Sequence, residues 1–311
     1  MRFGVFTSLT GQTWPAVLDL WRHIEETGWD IACVTDHFMP NTKDREGLVL
    51  ESCSTLSALA ALIPRIRVGT IVLGNTYRHP AVVAKMAAQI DIISGGRLLL
   101  GLGAGWQQNE HEAYGIPFYT RRERLERLDE ACQVSRSLWT QHRSNFGGRY
   151  YQLSDAPLDP QPVQKPYPEL MIGGGGERIT LRIAAKHADL WNVWGGPRVL
   201  ARKSAVLEEH CAKVGRNPKE IGRSVNMVLL ITDKKSDVDR LAENIAARMG
   251  SHADDARDTC LAGTPDQIRE VLRALSAAGA TTLFVVTMFR PSEELHRDMD
   301  RFIAEIAPAF R

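Results

Sequence analysis

A chain of 311 residues is long enough to bury roughly three quarters of its unfolded surface, so one large core or two smaller ones would both fit. Its 38 basic and 37 acidic residues are spread along the chain and leave a formal charge of +1, which offers no electrostatic footprint for nucleic acid or an anionic membrane. The five cysteines, Cys33, Cys53, Cys132, Cys211 and Cys260, form no CxxC pair, so they argue against a disulfide framework or a zinc site and for a cytosolic protein.

The opening Met1-Arg2-Phe3-Gly4-Val5-Phe6-Thr7 reads as a strand rather than a secretory leader. No apolar run approaches the roughly 20 residues that span a bilayer. From there, short apolar runs alternate with longer amphipathic segments, the pattern of a parallel sheet joined by crossover helices. In chain order, strands are expected over 2–7, 31–35, 66–73, 97–102, 169–173, 190–193, 224–231 and 281–287. Helices are expected over 14–27, 51–63, 80–93, 121–139, 177–186, 199–214, 235–249, 265–278 and 292–306. In the fourth helix Leu125, Leu128, Cys132 and Leu138 share one face while Arg121, Arg122, Glu123, Arg124 and Arg127 crowd the rest, as on a barrel exterior.

Two stretches interrupt the repeat. Phe146-Gly147-Gly148-Arg149-Tyr150-Tyr151, followed by a proline-rich arm from Pro157 to Pro168, reads as a hairpin inserted around 144–168, and 250–263 reads as a second insertion. No linker-like composition separates two halves. The sequence therefore predicts one α/β domain over 1–311, a (β/α)8 TIM barrel with insertions.

Catalysis in such a barrel sits at the carboxyl ends of the strands. The residues there are Asp36-His37, Gly74-Asn75-Thr76, Gly103-Ala104-Gly105-Trp106 and Gly173-Gly174-Gly175-Gly176. The last run joins a buried strand to a helix start, so its backbone N–H groups could hold a phosphate; a plain tight turn is the alternative. Gly101-Leu102-Gly103-Ala104-Gly105 follows the fourth strand instead of opening a βαβ unit, which makes it weak as a dinucleotide fingerprint. It would let a flat ring approach the backbone beside Trp106, or simply serve packing at a barrel corner. Asp36 and His37 together suit proton transfer near neutral pH, against a purely structural role. No histidine or carboxylate on the first strand completes a metal ligand set. Asn109-Glu110-His111-Glu112 reads as a solvated helix start.

With these residues in place, the chain resembles the luciferase-like family of flavin and deazaflavin enzymes over nearly its whole length. The resemblance rests on Val34-Thr35-Asp36-His37-Phe38, Gly69-Thr70-Ile71-Val72-Leu73, Arg78-His79-Pro80-Ala81, the run from Gly96 to Trp106, and Ile172-Gly173-Gly174-Gly175-Gly176. It implies a barrel with insertions, usually dimeric, in the branch that uses the deazaflavin coenzyme F420. It also implies coenzyme-binding roles for Asp36, Gly74, Ala104, Gly105, Asn109, Gly175, Gly176, Arg178 and Ile179, with Gly173 and Gly174 completing the phosphate turn and Trp106 beside the ring. A non-prolyl cis peptide is implied between Ile71 and Val72.

In the family's glucose-6-phosphate dehydrogenases, a histidine at the position of His37 acts as base and a glutamate stands at the position of Trp106. Those enzymes place a threonine and a lysine where this chain has Trp194 and Pro197, so that sugar-phosphate activity is not carried over. A mouth lined by Trp106, Trp191 and Trp194 points instead to a larger, less polar substrate. The expected function is hydride transfer between F420 and an unidentified, fairly apolar organic substrate, with His37 and Asp36 as the catalytic pair. The alternatives are an FMN-dependent monooxygenase on the same phosphate turn and a non-catalytic small-molecule-binding barrel.

Overall fold

The apolar runs become strands because each is buried on both faces, one against the barrel interior and one against the surrounding helices. A computed structural model describes residues 1–249, 253–290 and 292–311. Its strands are β1 (Arg2–Thr7), β2 (Ile31–Val34), β3 (Arg67–Thr70), β4 (Leu73–Gly74), β5 (Leu98–Gly103), β6 (Ser144–Gly147), β7 (Gln152–Ala156), β8 (Glu169–Gly173), β9 (Leu190–Trp194), β10 (Gly222–Ile231), β11 (Cys260–Gly263) and β12 (Thr282–Val286). The order β10-β12-β1-β2-β3-β5-β8-β9 closes through the pairing of β9 with β10, which makes an eight-stranded parallel (β/α)8 TIM barrel.

Around it lie α1 (Trp14–Thr27), α2 (Ser52–Leu62), α3 (Pro80–Ile93), α4 (Gln108–Ala113), α5 (Arg121–Thr140), α6 (Thr180–His187), α7 (Pro197–Val214), α8 (Lys235–Met249), α9 (Ala253–Asp258), α10 (Pro265–Ala277) and α11 (Ser292–Arg301). Strand alternation sorts the core. On β2, Ile31 and Cys33 join Leu99, Met171 and Phe284 in one cluster, whereas Ala32 and Val34 join the larger cluster beneath the helices. Burying a Leu or Phe side chain in this way contributes about 1.5–3 kcal/mol.

The expected third strand, 66–73, is broken: β3 ends at Thr70 and β4 resumes at Leu73. The helix expected over 177–186 starts at Thr180, three residues late, because the glycine run continues as a turn through Ile179. The first insertion is an antiparallel hairpin, β6 with β7, whose turn is Gly148–Tyr151. The stretch read as a second insertion carries α9 and then β11, which extends the sheet in parallel beside β10; residues 250–252 of that stretch lie outside the described residues. Among the described residues, no helix is long and apolar enough to cross a membrane.

The amino-terminal end of the barrel is closed by charge. Glu169 of β8 accepts hydrogen bonds from Arg2 of β1, at 2.9 Å, and from Arg67 of β3. Burial opposes ionisation of this carboxyl, but the two guanidinium groups hold its pKa below the usual carboxylate range. The opposite end carries the loops.

Candidate active site

The peptide between Ile71 and Val72, where β3 gives way to β4, is cis. Val72 lies over three glycines from two neighbouring strands. A Cβ added at Gly101, Gly103 or Gly173 would stand 2.8, 2.6 or 2.8 Å from the nearest Val72 methyl group, closer than atoms pack. The glycines of β5 and β8 thus seat Val72 at the floor of the mouth.

Beside this floor, His37 meets a partner that its neighbours in sequence do not reveal. Its Nδ1 lies 2.9 Å from Oε1 of Glu110 on α4. Glu110 is fully buried, and it also accepts from the Phe38 N–H at 2.8 Å and from the Tyr77 hydroxyl. Burial alone would raise the Glu110 pKa; the bonds from His37, Tyr77 and Phe38 outweigh it and hold the carboxyl below the ordinary glutamate range. Burial and then Glu110 push the Tyr77 phenol up, so it remains a donor. An ionised Glu110 can only accept, so Nδ1 of His37 carries the proton and Nε2 is the nitrogen left for chemistry.

The run Asn109-Glu110-His111-Glu112, expected to be a solvated helix start, is therefore corrected at its two central residues, both fully buried. His111 Nδ1 is 2.7 Å from the Gln107 carbonyl, and Nε2 is 2.7 Å from the Thr76 hydroxyl. Because a carbonyl only accepts, Nδ1–H of His111 donates to it. Thr76 in turn faces Gly105, whose φ is +76° and whose Cβ, if present, would stand 2.4 Å from Thr76 Oγ1.

Asp36 does not pair with His37. Its carboxylate has no exposed surface and takes both arms of Arg78, at 2.8 and 3.0 Å, together with the Gly74 N–H at 2.9 Å. Arg78 also reaches Glu51 at 2.6 Å, and Glu51 caps α2 through the N–H groups of Cys53 and Ser54. This chain of charges fixes the ends of β2 and β4 relative to each other. The histidine's carboxylate partner is Glu110, a residue the sequence reading passed over.

At the end of β8 the chain turns through Gly173, Gly174, Gly175 and Gly176 into α6. The Gly174 N–H donates to the Asn192 carbonyl at 2.9 Å, but the N–H groups from Gly175 to Ile179, including that of Arg178, have no protein acceptor among the described residues. Lys203 of α7 donates to the Gly175 carbonyl and fixes the turn's outer side. Neither Ile179 nor any side chain caps α6. Five consecutive unpaired donors at a helix start form a concavity suited to an anion. On α4, Asn109 has a buried side-chain oxygen without a hydrogen-bond partner, so it too is available to a ligand.

The aromatic residues divide. Trp106, 61% exposed, stands edge-on to His37 with ring centroids 5.4 Å apart. Ala104 and Gly105 continue the chain directly beyond β5, and Gly74 ends the neighbouring β4. Trp194 is half-buried, 5.5 Å from Phe6 and 6.4 Å from Phe289. Trp191, expected at the mouth, is instead fully buried beneath the glycine turn, where its Nε1–H donates to the Gly174 carbonyl at 2.9 Å. It supports the turn and lines nothing.

The chain is similar to known proteins in sequence and in fold. The F420-dependent glucose-6-phosphate dehydrogenase of Kineococcus radiotolerans is 28% identical over 317 aligned positions, covering 92% of this chain and 90% of its own. An FMNH(2)-dependent dimethylsulfone monooxygenase of Pseudomonas putida is 28% identical over 262 positions, covering 74% of this chain and 71% of its own. The fold is shared with an F420-dependent secondary alcohol dehydrogenase solved with an F420-acetone adduct, at a TM-score of 0.85 and 20% identity, over 100% of this chain and 99% of that one. The profile of the luciferase-like monooxygenases matches residues 1–256, and the chain belongs to that family.

Proposed function

We propose that this protein is an oxidoreductase that uses coenzyme F420 as its hydride carrier and acts on a fairly apolar small organic substrate. The observation that carries the reading is the row of unpaired N–H groups from Gly175 to Ile179 at the barrel end that also holds His37 and Glu110. The residues fit the coenzyme. The turn would hold its phosphate, Asn109 offers a buried acceptor, and the Val72 floor presents a flat apolar surface where three glycines keep side chains away. When bound, the reduced deazaflavin supplies a hydride to an electrophilic carbon.

The protein's own part is to manage the proton and the surroundings. Glu110 orients His37 so that Nε2 gives a proton to, or takes one from, the substrate oxygen. Tyr77 and the Phe38 N–H keep Glu110 ionised and still. Asp36 and Arg78 hold the loop ends that carry both halves of the site. Trp106, Trp194 and Phe289 provide apolar contact for the rest of the substrate. In this reading residues 1–311 act as one barrel domain. It also retains the homodimer expected from the resemblance and the cytosolic setting expected from the cysteines, all five of which are unbridged and buried.

A second reading, an FMN-dependent monooxygenase, draws on the Pseudomonas putida relative and the same turn. A third, a barrel that binds without turnover, leaves the His37–Glu110 pair unexplained. The deciding experiment is titration of the purified protein with F420 and separately with FMN, followed by an acceptor screen with the reduced coenzyme. Tight binding of F420 alone supports the proposal; preference for FMN overturns it. On any substrate found, His37→Ala should lower turnover on the order of 100-fold or more.

A further inference from the structure

Helix α5 opens with charges in the wrong place. Arg121 and Arg122 occupy its first two positions, after the Thr120 cap, where the positive end of the helix dipole disfavours cations. The other arginines of the first two turns are engaged. Arg122 pairs with Glu126 at 2.7 Å, Arg127 pairs with Glu123 at 2.9 Å, and Arg124 lies 4.0 Å over the Phe118 ring and donates to the Tyr119 carbonyl. Arg121 alone in this group has no ion pair, side-chain hydrogen bond or ring contact among the described residues. Burial and then the charge of Arg121 lower the pKa of Arg124, so the crowding goes unrelieved. A departure from local preference at a site edge calls for a compensating partner.

The direction of the side chain identifies that partner. Its Nη2 lies 3.7 Å from where a Cβ of Gly176 would be, which sets the guanidinium against the turn whose N–H groups have no acceptor. The cations on the other side of the turn are committed: Lys203 bonds Gly175 and Glu177, and Arg202 lies 3.4 Å from Glu177. We propose that Arg121 is an anion-binding residue that closes over the glycine turn from α5 and grips the coenzyme phosphate opposite the backbone amides. This deepens the proposed function and rests on it. A guanidinium can grip two phosphate oxygens at once, from the side opposite the backbone amides.

The test compares wild type, Arg121→Ala and Arg122→Ala for binding of F420 and of the deazaflavin fragment that lacks the phosphate, followed by deazaflavin fluorescence. Arg122→Ala removes the same charge one residue away. Arg121→Ala should weaken F420 binding roughly tenfold, as loss of a partly exposed charge-assisted contact does. Arg122→Ala should change it less than about twofold, and neither should alter fragment binding. Thermal unfolding of the unliganded variants checks that the fold is kept. Unchanged F420 affinity in Arg121→Ala overturns the proposal, as does an equal loss on the fragment. If wild type binds FMN and not F420, the coenzyme reading fails separately, and the same variants on FMN then decide the role of Arg121: a loss supports it and no loss overturns it.

Discussion

His37 and Glu110, 73 positions apart, share a hydrogen bond of 2.9 Å between Nδ1 and Oε1, and the carboxylate end is fully buried. Glu110 is a positioning residue, since it acts on substrate only through the imidazole. Replacing it with Gln keeps the size but removes the charge that obliges Nδ1 to donate. Turnover should fall roughly 10- to 100-fold, part of the about 100- to 10,000-fold that proton transfer contributes. Coenzyme affinity should stay within about twofold, because the turn proposed to hold the phosphate is untouched. Steady-state kinetics with a separate coenzyme titration separates the two; parallel losses in both would mean that Glu110 merely supports the fold.

Asp36 and Arg78 make the opposite prediction. The carboxylate is wholly buried and the guanidinium nearly so, so removing Arg78 strands Asp36 in low dielectric, and removing Asp36 leaves Arg78 only the partly exposed Glu51. Asp36→Asn and Arg78→Met should each cost about 3 kcal/mol of stability in denaturant unfolding. The double variant should cost clearly less than the sum, because the buried pair is removed whole and only the partly exposed Glu51 loses a partner. Additive losses would show that the pair contributes no coupling.

How far this site could be read from sequence depends on the distance over which each residue finds its partner. The barrel strands were legible because burial on both faces leaves apolar runs such as Leu98–Leu100 and Leu170–Ile172. The glycine turn at the end of β8 was legible because four glycines between a strand and a helix are a local signal. The break at Ile71–Val72 carried no signal in the residues themselves, since both side chains suit an unbroken strand; only the resemblance pointed there. Glu110 was missed because α4 spans six residues, too few for an apolar stripe, and its burial comes from His37, Phe38 and Tyr77, all far away in the chain. Trp191 was misplaced because its face on β9 depends on strand register, and a shift of one residue exchanges interior and exterior.

Gly105 links the coenzyme mouth to the His111 network. Alanine there must adopt φ +76° and place a methyl group 2.4 Å from Thr76 Oγ1, which displaces the hydroxyl from His111. The left-handed backbone alone costs about 1–2 kcal/mol, and the clash adds to it. Gly105→Ala should lower the unfolding midpoint and weaken coenzyme binding together, whereas Gly115→Ala, also at positive φ but with open space around it, should affect only stability. Calorimetric melting and coenzyme titration of both variants test this; unaltered coenzyme binding in Gly105→Ala would detach the His111 network from the site.

Away from the mouth, Asp129 of α5 ties that helix to the end of α6. Its carboxylate lies 2.7 Å from His187 Nε2 and 2.8 Å from Lys186 Nζ. Burial opposes its ionisation, yet the bonds from His187 and Lys186 prevail and lower the pKa from 3.8 to about 2. A carboxyl whose pKa is depressed on folding contributes stability that is complete above the unfolded value and disappears as pH falls through the folded one. A carboxyl held at about 2 in this way contributes about 2 kcal/mol, less some solvent screening. Asp129→Asn should therefore be about 1–2 kcal/mol less stable than wild type at pH 7, with the same gap at pH 5. Between pH 4 and pH 2 the gap should close, because the wild-type carboxylate becomes protonated and loses its charge as well. Urea unfolding of both proteins across this range measures the gap; one that stays constant down to pH 2 would mean that the bonds of Asp129 stabilise the helix junction without depending on its charge.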